Sequence, residues 1–323
     1  MHTAYCQALS LLIGWDQVAD NPYPWEFGVP DDAALHRIEG LITHPGYPLP
    51  RERLRRMSQL KVVSTYGVGY DYIDVEAASE LGILVTHTPN AVIAATAELG
   101  LSLVLASLRH LVAHDRLIRA GHSGHTPNPV FAHPLLAHDA AGQTIGIVGY
   151  GRIGQRLAHL LGLVGFPTLY TRAHGPIAGI DGYRTLDQLI AESDILVLTL
   201  PLTANTWHIM DAVRIAGMKA QAQLINIGRG ACVDEEALVR ALKERRIGGA
   251  ALDVFEFEPR ISDELTALDN VILSPHVGTT TWETRARMTR EAVGNIVQAL
   301  QGRPSNAVNL PSWTRSNPQP ATS

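Results

Sequence analysis

Three side chains of the sequence, Arg229, Glu258 and His276, have complementary chemistry, and each lies just after a short apolar segment. Histidine exchanges protons near neutrality because its ordinary pKa is roughly 6.5. A carboxylate bonded to the other ring nitrogen favours the protonated imidazole, and an arginine fork holds a carboxylate. Each residue alone could be structural. Together they could anchor an acid, polarise its carbonyl and move a proton.

The apolar segments that precede these residues predict one parallel sheet. They are short and continuous rather than alternating, which is typical of strands buried on both faces. The predicted strands cover residues 145–148, 168–170, 195–198, 224–227, 250–253 and 271–273. Helical stretches separate them, as in a doubly wound α/β sheet. Because ligands of such sheets bind at the carboxyl ends of the strands, we expect the three side chains to lie close together.

A glycine-rich turn follows the first of these strands directly. It has the sequence Gly149-Tyr150-Gly151-Arg152-Ile153-Gly154, and a helical stretch over 155–163 comes next. Glycines at this spacing permit a tight turn and a close approach of the backbone to a pyrophosphate, which then faces a helix N-terminus. A chance glycine-rich turn is the alternative. The flanking strand and helix favour a dinucleotide site.

The choice of dinucleotide depends on the end of the second strand, which has the sequence Leu169-Tyr170-Thr171-Arg172. A site for NAD usually places an acid here to bind the ribose hydroxyls. Thr171 and Arg172 instead suit a 2′-phosphate, since a guanidinium makes bidentate charge-assisted hydrogen bonds. We therefore predict a preference for NADP(H), with NAD(H) still an acceptable cofactor. Alternatively, Arg172 only covers the adenine or is solvated.

Further elements are predicted outside this sheet. Residues 61–66 and 83–86 have strand patterns, 96–120 forms the longest helical pattern, and 282–302 forms a second long helix. The tail 304–323 is polar, and we expect it to be partly disordered.

A histidine-rich segment spans residues 110–138. His110 and His114 are spaced i, i+4 on the predicted helix, a spacing that can bind a metal. No nearby cysteine or acidic cluster completes a site, so we expect a structural or surface role and no metal.

Composition narrows the class of partner. The chain has 323 residues, a net charge of −5 and two cysteines, Cys6 and Cys232. The length suggests about two domains, and the charge favours neither nucleic acid nor an anionic membrane. Two cysteines exclude a disulfide scaffold and favour the cytoplasm, with Cys232 a small buried residue rather than a nucleophile. The longest apolar run, 99–108, is too short to span a bilayer, and no signal peptide is expected.

Several further motifs, taken with those above, make the sequence similar to one family over about residues 60–302. They resemble the D-isomer-specific 2-hydroxyacid dehydrogenases, which include glyoxylate/hydroxypyruvate reductases and D-lactate dehydrogenases. The motifs are Gly67-Val68-Gly69-Tyr70-Asp71, Thr88-Pro89-Asn90, Leu200-Pro201-Leu202-Thr203, Asn226-Ile227-Gly228-Arg229-Gly230, Leu252-Asp253-Val254-Phe255-Glu256-Phe257-Glu258-Pro259 and Ser274-Pro275-His276-Val277-Gly278.

The resemblance implies an architecture. It consists of two doubly wound Rossmann-like domains, the coenzyme domain being inserted into a flavodoxin-like substrate domain. Residues 1–100 and 284–323 would form the substrate domain, and residues 101–283 the coenzyme domain. The long helix and the arm after it, residues 121–138, resemble the family's dimer contact, so the resemblance implies a homodimer.

The resemblance also implies roles for individual residues. Arg229, Glu258 and His276 would be catalytic, and Val68, Gly69 and Arg229 would bind substrate, although 68–69 could be a plain turn. The implied cofactor-binding residues are Thr96, Gly149, Gly151, Arg152, Ile153, Gly154, Thr171, Arg172, Leu200, Pro201, Thr206, Ile227, Gly228, Asp253, His276 and Gly278. Helix capping is the alternative for Thr96 and Thr206.

The activity implied is hydride transfer between NAD(P)H and a small 2-keto or D-2-hydroxy acid of the glyoxylate/hydroxypyruvate type. D-lactate dehydrogenase, 2-ketogluconate reductase and a dinucleotide-sensing corepressor remain alternatives. Three positions separate the chain from family patterns. Ser123 stands where a tryptophan is usual, Glu258 differs from the glutamine of formate dehydrogenases, and Val68 differs from the lysine of phosphite dehydrogenases. The sequence leaves open the substrate and the direction of the reaction.

Overall fold

The computed structural model describes residues 35–121 and 136–316. The expectations for Cys6 and Ser123 and most of the arm therefore lie outside the described residues. Contacts divide the chain into two compact units, Met1–Val92 with Thr280–Ser323, and Ile93–Thr279. The domain boundaries inferred from the sequence lie a few residues further along the chain at both junctions and stay a prediction.

The first unit contains a three-stranded parallel sheet in the order β1-β2-β3. Its strands are β1 (Gly40–Thr43), β2 (Val62–Thr65) and β3 (Leu84–Thr86), and its helices are α1 (Arg51–Arg55), α2 (Val75–Glu80), α10 (Trp282–Leu300) and α11 (Leu310–Ser316). All residues of β2 and β3 are buried, as expected of strands covered on both faces. The helix α10 packs on β2 and β1.

The polar tail is ordered where the structure describes it, so the expectation of disorder is wrong for α11. The Asn309 side chain accepts a hydrogen bond from the Val85 N–H at 2.8 Å and donates to Ser79 Oγ at 2.9 Å. The Trp313 indole donates to the Gly82 carbonyl at 2.9 Å. These partners are more than 200 positions away in sequence, and therefore composition alone could not reveal them.

The second unit contains a six-stranded parallel sheet in the order β5-β4-β6-β7-β8-β9. The strands are β4 (Ile145–Val148), β5 (Thr168–Thr171), β6 (Ile195–Leu198), β7 (Gln223–Asn226), β8 (Gly249–Leu252) and β9 (Val271–Leu273). The α/β class with parallel sheets is thus confirmed. β5 and β6 lie on opposite sides of β4, so the strand order reverses at β4. Ligands of such sheets bind at this switch point.

The helices of the second unit surround that sheet. They are α3 (Ile93–Leu108), α4 (Leu111–Arg119), α5 (Arg152–Val164), α6 (Leu186–Glu192), α7 (Ala212–Gly217), α8 (Glu235–Lys243) and α9 (Asp263–Thr266). Two hydrophobic clusters, one on each side, fill the space between helices and sheet. The carboxyl ends of the strands are left to loops, which carry the polar residues discussed below.

The single helix expected over 96–120 is wrong, because the chain bends by 62° between α3 and α4. His110 adopts a left-handed conformation with φ 49° at the break. No residue of α4 is buried, whereas α3 packs into the core. The apolar spacing continues through the break, so periodicity could not locate it. The longest described helix is α10, with 19 residues.

No single helix among the described residues is both long and apolar enough to cross a bilayer, and the bent pair α3–α4 meets that test only when its two members are joined.

Candidate catalytic and dinucleotide site

The glycine turn lies at the carboxyl end of β4, and its three glycines have different surroundings. Gly149 has φ +101°, and a Cβ on Gly154 would lie 2.2 Å from the Gly149 carbonyl oxygen. The backbone conformation therefore requires glycine at position 149, and packing requires it at position 154. A Cβ on Gly151 would meet nothing within 4 Å. The open face at Gly151, beside the first N–H groups of α5, fits the close approach of a pyrophosphate.

Neighbouring residues hold this turn in place. The ring of Tyr150 stacks on that of Tyr170 in β5, with centroids 4.0 Å apart. The Thr199 hydroxyl donates to the Gly149 carbonyl, and the Gly149 N–H donates to the Thr171 carbonyl at 3.0 Å. The end of β5 is thus fixed beside the turn.

The predicted readers of the 2′ position lie at that end of β5. Thr171 is buried, and Arg172, the next residue, is partly exposed. Arg152 is the exposed first residue of α5, and Ile153 follows it. The structure therefore places the backbone of Thr171 beside the glycine turn, with Arg172 as the next residue and no acid in β5.

The predicted cofactor residues after β6 and β7 also come together. A Cβ on Gly228 would lie 2.7 Å from the Leu200 carbonyl oxygen, so the two loops touch through their backbones. Ile227 is buried beside Gly228. The Thr206 hydroxyl donates to the Pro201 carbonyl at 2.7 Å and therefore already has a partner within its own turn.

Asp253 organises the loop that carries His276. Its carboxylate accepts hydrogen bonds from the Ser274 hydroxyl at 2.6 Å, the Val277 N–H at 2.8 Å and the Gly278 N–H at 2.9 Å. Burial raises the pKa of Asp253, while these hydrogen bonds act in the opposite direction. Its carbonyl accepts the His276 N–H at 2.8 Å. Asp253 thus fixes the backbone on both sides of the imidazole.

Thr96 connects the first turn of α3 to the same loop. Its hydroxyl donates to the Gly278 carbonyl at 3.3 Å, and Thr96 itself is buried. A Cβ on Gly278 would lie 3.3 Å from an Asp253 carboxylate oxygen. Thr96, Asp253 and Gly278, which are far apart in sequence, are therefore neighbours in the structure.

The carboxylate of Glu258 lies against the imidazole of His276, with 2.8 Å between Oε2 and Nδ1. Its other oxygen accepts the Phe255 N–H at 2.9 Å. Burial alone would raise the pKa of Glu258. The hydrogen bond and charge of His276, the Phe255 N–H and the charge of Arg229 outweigh it, so the pKa lies below its ordinary value. Because Nδ1 faces the carboxylate, Nε2 is the nitrogen left to face a reacting group.

Arg229 follows β7 and lies close enough to Glu258 for its charge to lower the pKa of that carboxyl. The Asn226 side chain donates to the Arg229 carbonyl at 2.8 Å and accepts the Gly228 N–H at 3.0 Å. The structure thus brings Arg229, Glu258 and His276 together at one edge of the sheet.

Val68 and Gly69 lie in the first unit, in the loop after β2. The Thr65 hydroxyl donates to the Gly67 carbonyl at 2.7 Å, and a ring nitrogen of His87 is 3.0 Å from the Val68 carbonyl oxygen. Gly67 has φ +152°, which a residue with a side chain rarely adopts. Side chains therefore shape this turn, and its proposed role in holding a carboxylate stays a prediction.

Two other sequence expectations concern the second unit. Cys232 is buried, in agreement with its interpretation as a small core residue. The rings of His110 and His114 meet edge to face with centroids 6.3 Å apart. Within the described ranges, no group of three or more metal-ligating side chains occurs.

Sequence reasoning missed a network of polar residues that contacts the segments carrying Arg229 and Glu258. Its members are His208, Glu235 and Glu256. The ring nitrogen Nε2 of His208 is 2.7 Å from Glu256 Oε1. Glu256 stands in the same motif as Glu258, two positions earlier, but only the later acid was expected to matter. The signal that could have revealed these residues is the burial of Glu235 at the start of α8. Burial of an acid cannot be seen in the sequence.

The parallel sheet and the glycine turn at its switch point define the second unit as a dinucleotide-binding domain. Residues 101–278 match the family described as "D-isomer specific 2-hydroxyacid dehydrogenase, NAD binding domain". A glyoxylate reductase of Thermococcus onnurineus (strain NA1) is 40% identical over 279 residues, which cover 84% of this chain and 83% of the relative. The chain belongs to the D-isomer-specific 2-hydroxyacid dehydrogenase family, as the motifs had indicated.

Solved structures agree with this assignment. The NADPH-dependent glyoxylate/hydroxypyruvate reductase of Sinorhizobium meliloti, in complex with NADP and malonate, has a TM-score of 0.79 and 33% identity and covers 87% of this chain and 86% of its own. A glyoxylate reductase from Paecilomyes thermophila has a TM-score of 0.77 and 33% identity, covering 85% of each chain.

Proposed function

We propose that this protein reduces small 2-keto acids of the glyoxylate/hydroxypyruvate type to D-2-hydroxy acids with NADPH. The observation that carries the proposal is the 2.8 Å pair of Glu258 and His276 beside the charge of Arg229. The names of the relatives favour this reaction over a corepressor role. The proposed compartment is the cytoplasm, on the sequence argument alone.

In this proposal His276 is the general acid. Glu258 holds Nδ1 and stabilises the charged imidazole, so that Nε2 delivers its proton to the carbonyl oxygen of the keto acid. Arg229 binds the substrate carboxylate and polarises the carbonyl through its fork. When bound, the nicotinamide supplies the hydride to C2. The protein's own contribution is thus to orient the acid and to place one proton at one oxygen.

The dinucleotide would be held by the residues around the glycine turn. The N–H groups at the start of α5 face its pyrophosphate, since the first four N–H groups of a helix have no partner within the helix. Thr171 and Arg172 bind the 2′-phosphate in this proposal. The relatives leave the choice between NADP(H) and NAD(H) open, so the preference for NADPH belongs to the proposal.

The direct test is a panel of keto acids measured with both cofactors. We expect the highest kcat/KM with glyoxylate or hydroxypyruvate and NADPH. The reaction is monitored through the loss of NADPH absorbance at 340 nm. Pyruvate or 2-ketogluconate as the best substrate would move the protein to one of the alternative activities of its family. An absence of turnover with every keto acid, together with tight NADPH binding, would support the corepressor reading instead.

We further propose that the protein is a homodimer formed through α4. Leu111 and Ile118 on this helix are 62% and 61% exposed, and Leu136, near the end of the arm, is 84% exposed. A groove of about 720 Å³ runs between α4 and the amino ends of β7, β8 and β9. A two-fold contact would cover these apolar side chains, and cyclic dimers are the commonest oligomers.

Sedimentation equilibrium at micromolar concentration should therefore give twice the chain mass of 35.0 kDa. The variant Leu111→Glu with Ile118→Glu should sediment as a monomer, because each charge would be buried unpaired in the contact. A matched change at an exposed apolar residue elsewhere, Val213→Glu, should leave the dimer intact. A 35.0 kDa species for the unchanged protein would refute this mode of assembly.

A further inference from the structure

His208 occupies a strained position between β6 and α7. Its φ of 46° lies in the left-handed region, which a residue with a side chain seldom adopts. Its N–H donates to the Ala231 carbonyl at 2.8 Å, and its ring is stacked on that of Trp207. The ring nitrogen Nε2 lies 2.7 Å from Glu256 Oε1, and the two side chains are only 20% and 11% exposed. The position is therefore fixed by contacts to the Arg229 turn on one side and to Glu256 on the other.

Glu256 is bound in turn to the start of α8. Its carboxylate accepts the Glu235 N–H at 3.0 Å, and its own N–H donates to the Glu235 carboxylate at 3.0 Å. Glu235 is buried, and burial raises the pKa of its carboxyl, with the charges of Glu256 and Glu258 acting in the same direction. Burying carboxylates is unfavourable for stability unless they are well paired. Stability of the fold therefore does not by itself account for these buried carboxylates.

The geometry of Gly230 shows what this network holds. A Cβ on Gly230 would lie 1.9 Å from both the carbonyl carbon and the carbonyl oxygen of Phe255. The turn that begins at Arg229 therefore rests directly on the peptide that joins Phe255 to Glu256. The N–H of Phe255 donates to Glu258. A displacement of Glu256 would move Arg229 and Glu258 relative to each other.

We propose that His208 and Glu256 are positioning residues that hold Arg229 in register with Glu258 and His276. His208 ties the backbone at Ala231 to the Glu256 side chain, and Glu256 ties the segment of Glu258 to Glu235, four residues after Ala231. The pair acts through Arg229 and does not touch the reacting atoms. This inference rests on the proposed function, since it takes Arg229 as the carboxylate anchor.

The test compares His208→Ala with His208→Gln in steady-state reduction of glyoxylate. Alanine removes the link to Glu256, and because small misplacements of an anchoring group can cost up to about 10²-fold, we expect KM to rise about 10- to 100-fold. We expect kcat to change less than KM. The Kd of NADPH, measured by fluorescence, should rise less than KM, because the glycine turn follows β4 whereas this network joins the loops after β6, β7 and β8. Glutamine keeps a side-chain N–H donor and should restore most of the KM.

Two controls separate positioning from stability. Ile190→Val removes one methylene from the core of the same unit and lowers the Tm, but should leave the KM of the folded enzyme unchanged. Arg229→Lys reports the anchor itself and should raise KM strongly, because a point charge cannot replace the fork. If Arg229→Lys leaves KM unchanged, the proposed function of Arg229 fails. If it raises KM while His208→Ala only lowers the Tm, the positioning role alone is refuted.

A double-mutant cycle tests the path through Glu256. In a Glu256→Ala background, His208→Ala should raise KM by no more than a further factor of about two, because its partner is already absent. Additive effects of the two changes would overturn the coupling. Should Glu256→Ala not fold, the comparison of alanine and glutamine at position 208 still decides the proposal.

Discussion

Replacement of His276 by alanine should lower kcat for keto-acid reduction by about 10²–10⁴-fold, the usual contribution of a general acid. The imidazole is held at Nδ1 by Glu258 at 2.8 Å, so its removal deletes both the proton and the partner of the carboxylate. The Kd of NADPH should change far less than kcat, because most of the implied cofactor contacts, including the glycine turn after β4, lie on other strands. Single-turnover reduction of glyoxylate and fluorescence titration with NADPH measure the two effects separately.

Two further variants make this prediction specific to position 276. His276→Asn retains a polar side chain that cannot deliver a proton, and should be as slow as the alanine variant. His159→Asn changes an exposed histidine on α5 of the same unit and should keep the original rate. Because the pKa of Glu258 is lowered, its carboxylate remains charged through the neutral range and can hold Nδ1 of the ring. Near-normal turnover of His276→Asn would remove the residue from the mechanism.

NADPH should exceed NADH in kcat/KM by at least about tenfold, and the double variant Thr171→Asp with Arg172→Ala should reverse the order. A charged hydrogen bond to the 2′-phosphate is worth about 1.5–3 kcal/mol, which corresponds to roughly 10- to 150-fold in an equilibrium constant. A carboxylate at position 171 would repel that phosphate and accept hydrogen bonds from the ribose hydroxyls. The full kinetics of both proteins with both cofactors measure the change.

Salt provides an independent check of the cofactor prediction. Arg172 is partly exposed, so its attraction to the phosphate should weaken as ionic strength increases. The preference for NADPH should therefore shrink between low and high salt in the original protein, and show no such trend in the double variant. Equal use of the two cofactors, or a preference that survives the double change, would place the recognition of the 2′ position elsewhere.

The sequence predicted the parts of the fold that local patterns encode. The strands β4, β6 and β9 begin and end where the apolar runs do. In β4 and β6 every residue is buried, as expected of strands covered on both faces. Strands β7 and β8 lie one residue earlier than predicted. The glycine turn was also recognisable, because its function requires particular residues at consecutive positions. Several such motifs in order indicated the family, and the match over residues 101–278 and the 40% identical relative confirm it.

Features that depend on distant partners could not be predicted in this way. His208 and Glu256 are 48 positions apart, and Glu235 and Glu256 are 21 apart. Neither spacing corresponds to a helix or a strand period, so no local pattern marks the network. The break at His110 likewise depends on the packing of α3 and the exposure of α4. Sequence reasoning thus proposed three catalytic residues, which the structure brings together, but missed the polar residues that contact the segments carrying them.

Because the first unit is built from two separate segments of the chain, we expect the two units to fold in a particular order. Its strand β3 is completed by Asn309, 224 positions away from Val85. Closing so long a loop would be entropically costly in an unfolded chain. The intervening unit removes most of that cost once folded, because Thr96, near its start, bonds to Gly278, near its end. Once the inserted unit is folded, its two ends lie close together, so the segment 280–316 is joined to the earlier part of the first unit by a short effective loop. During synthesis the inserted unit can therefore mature first, whereas the unit that begins the chain must wait for its last residues.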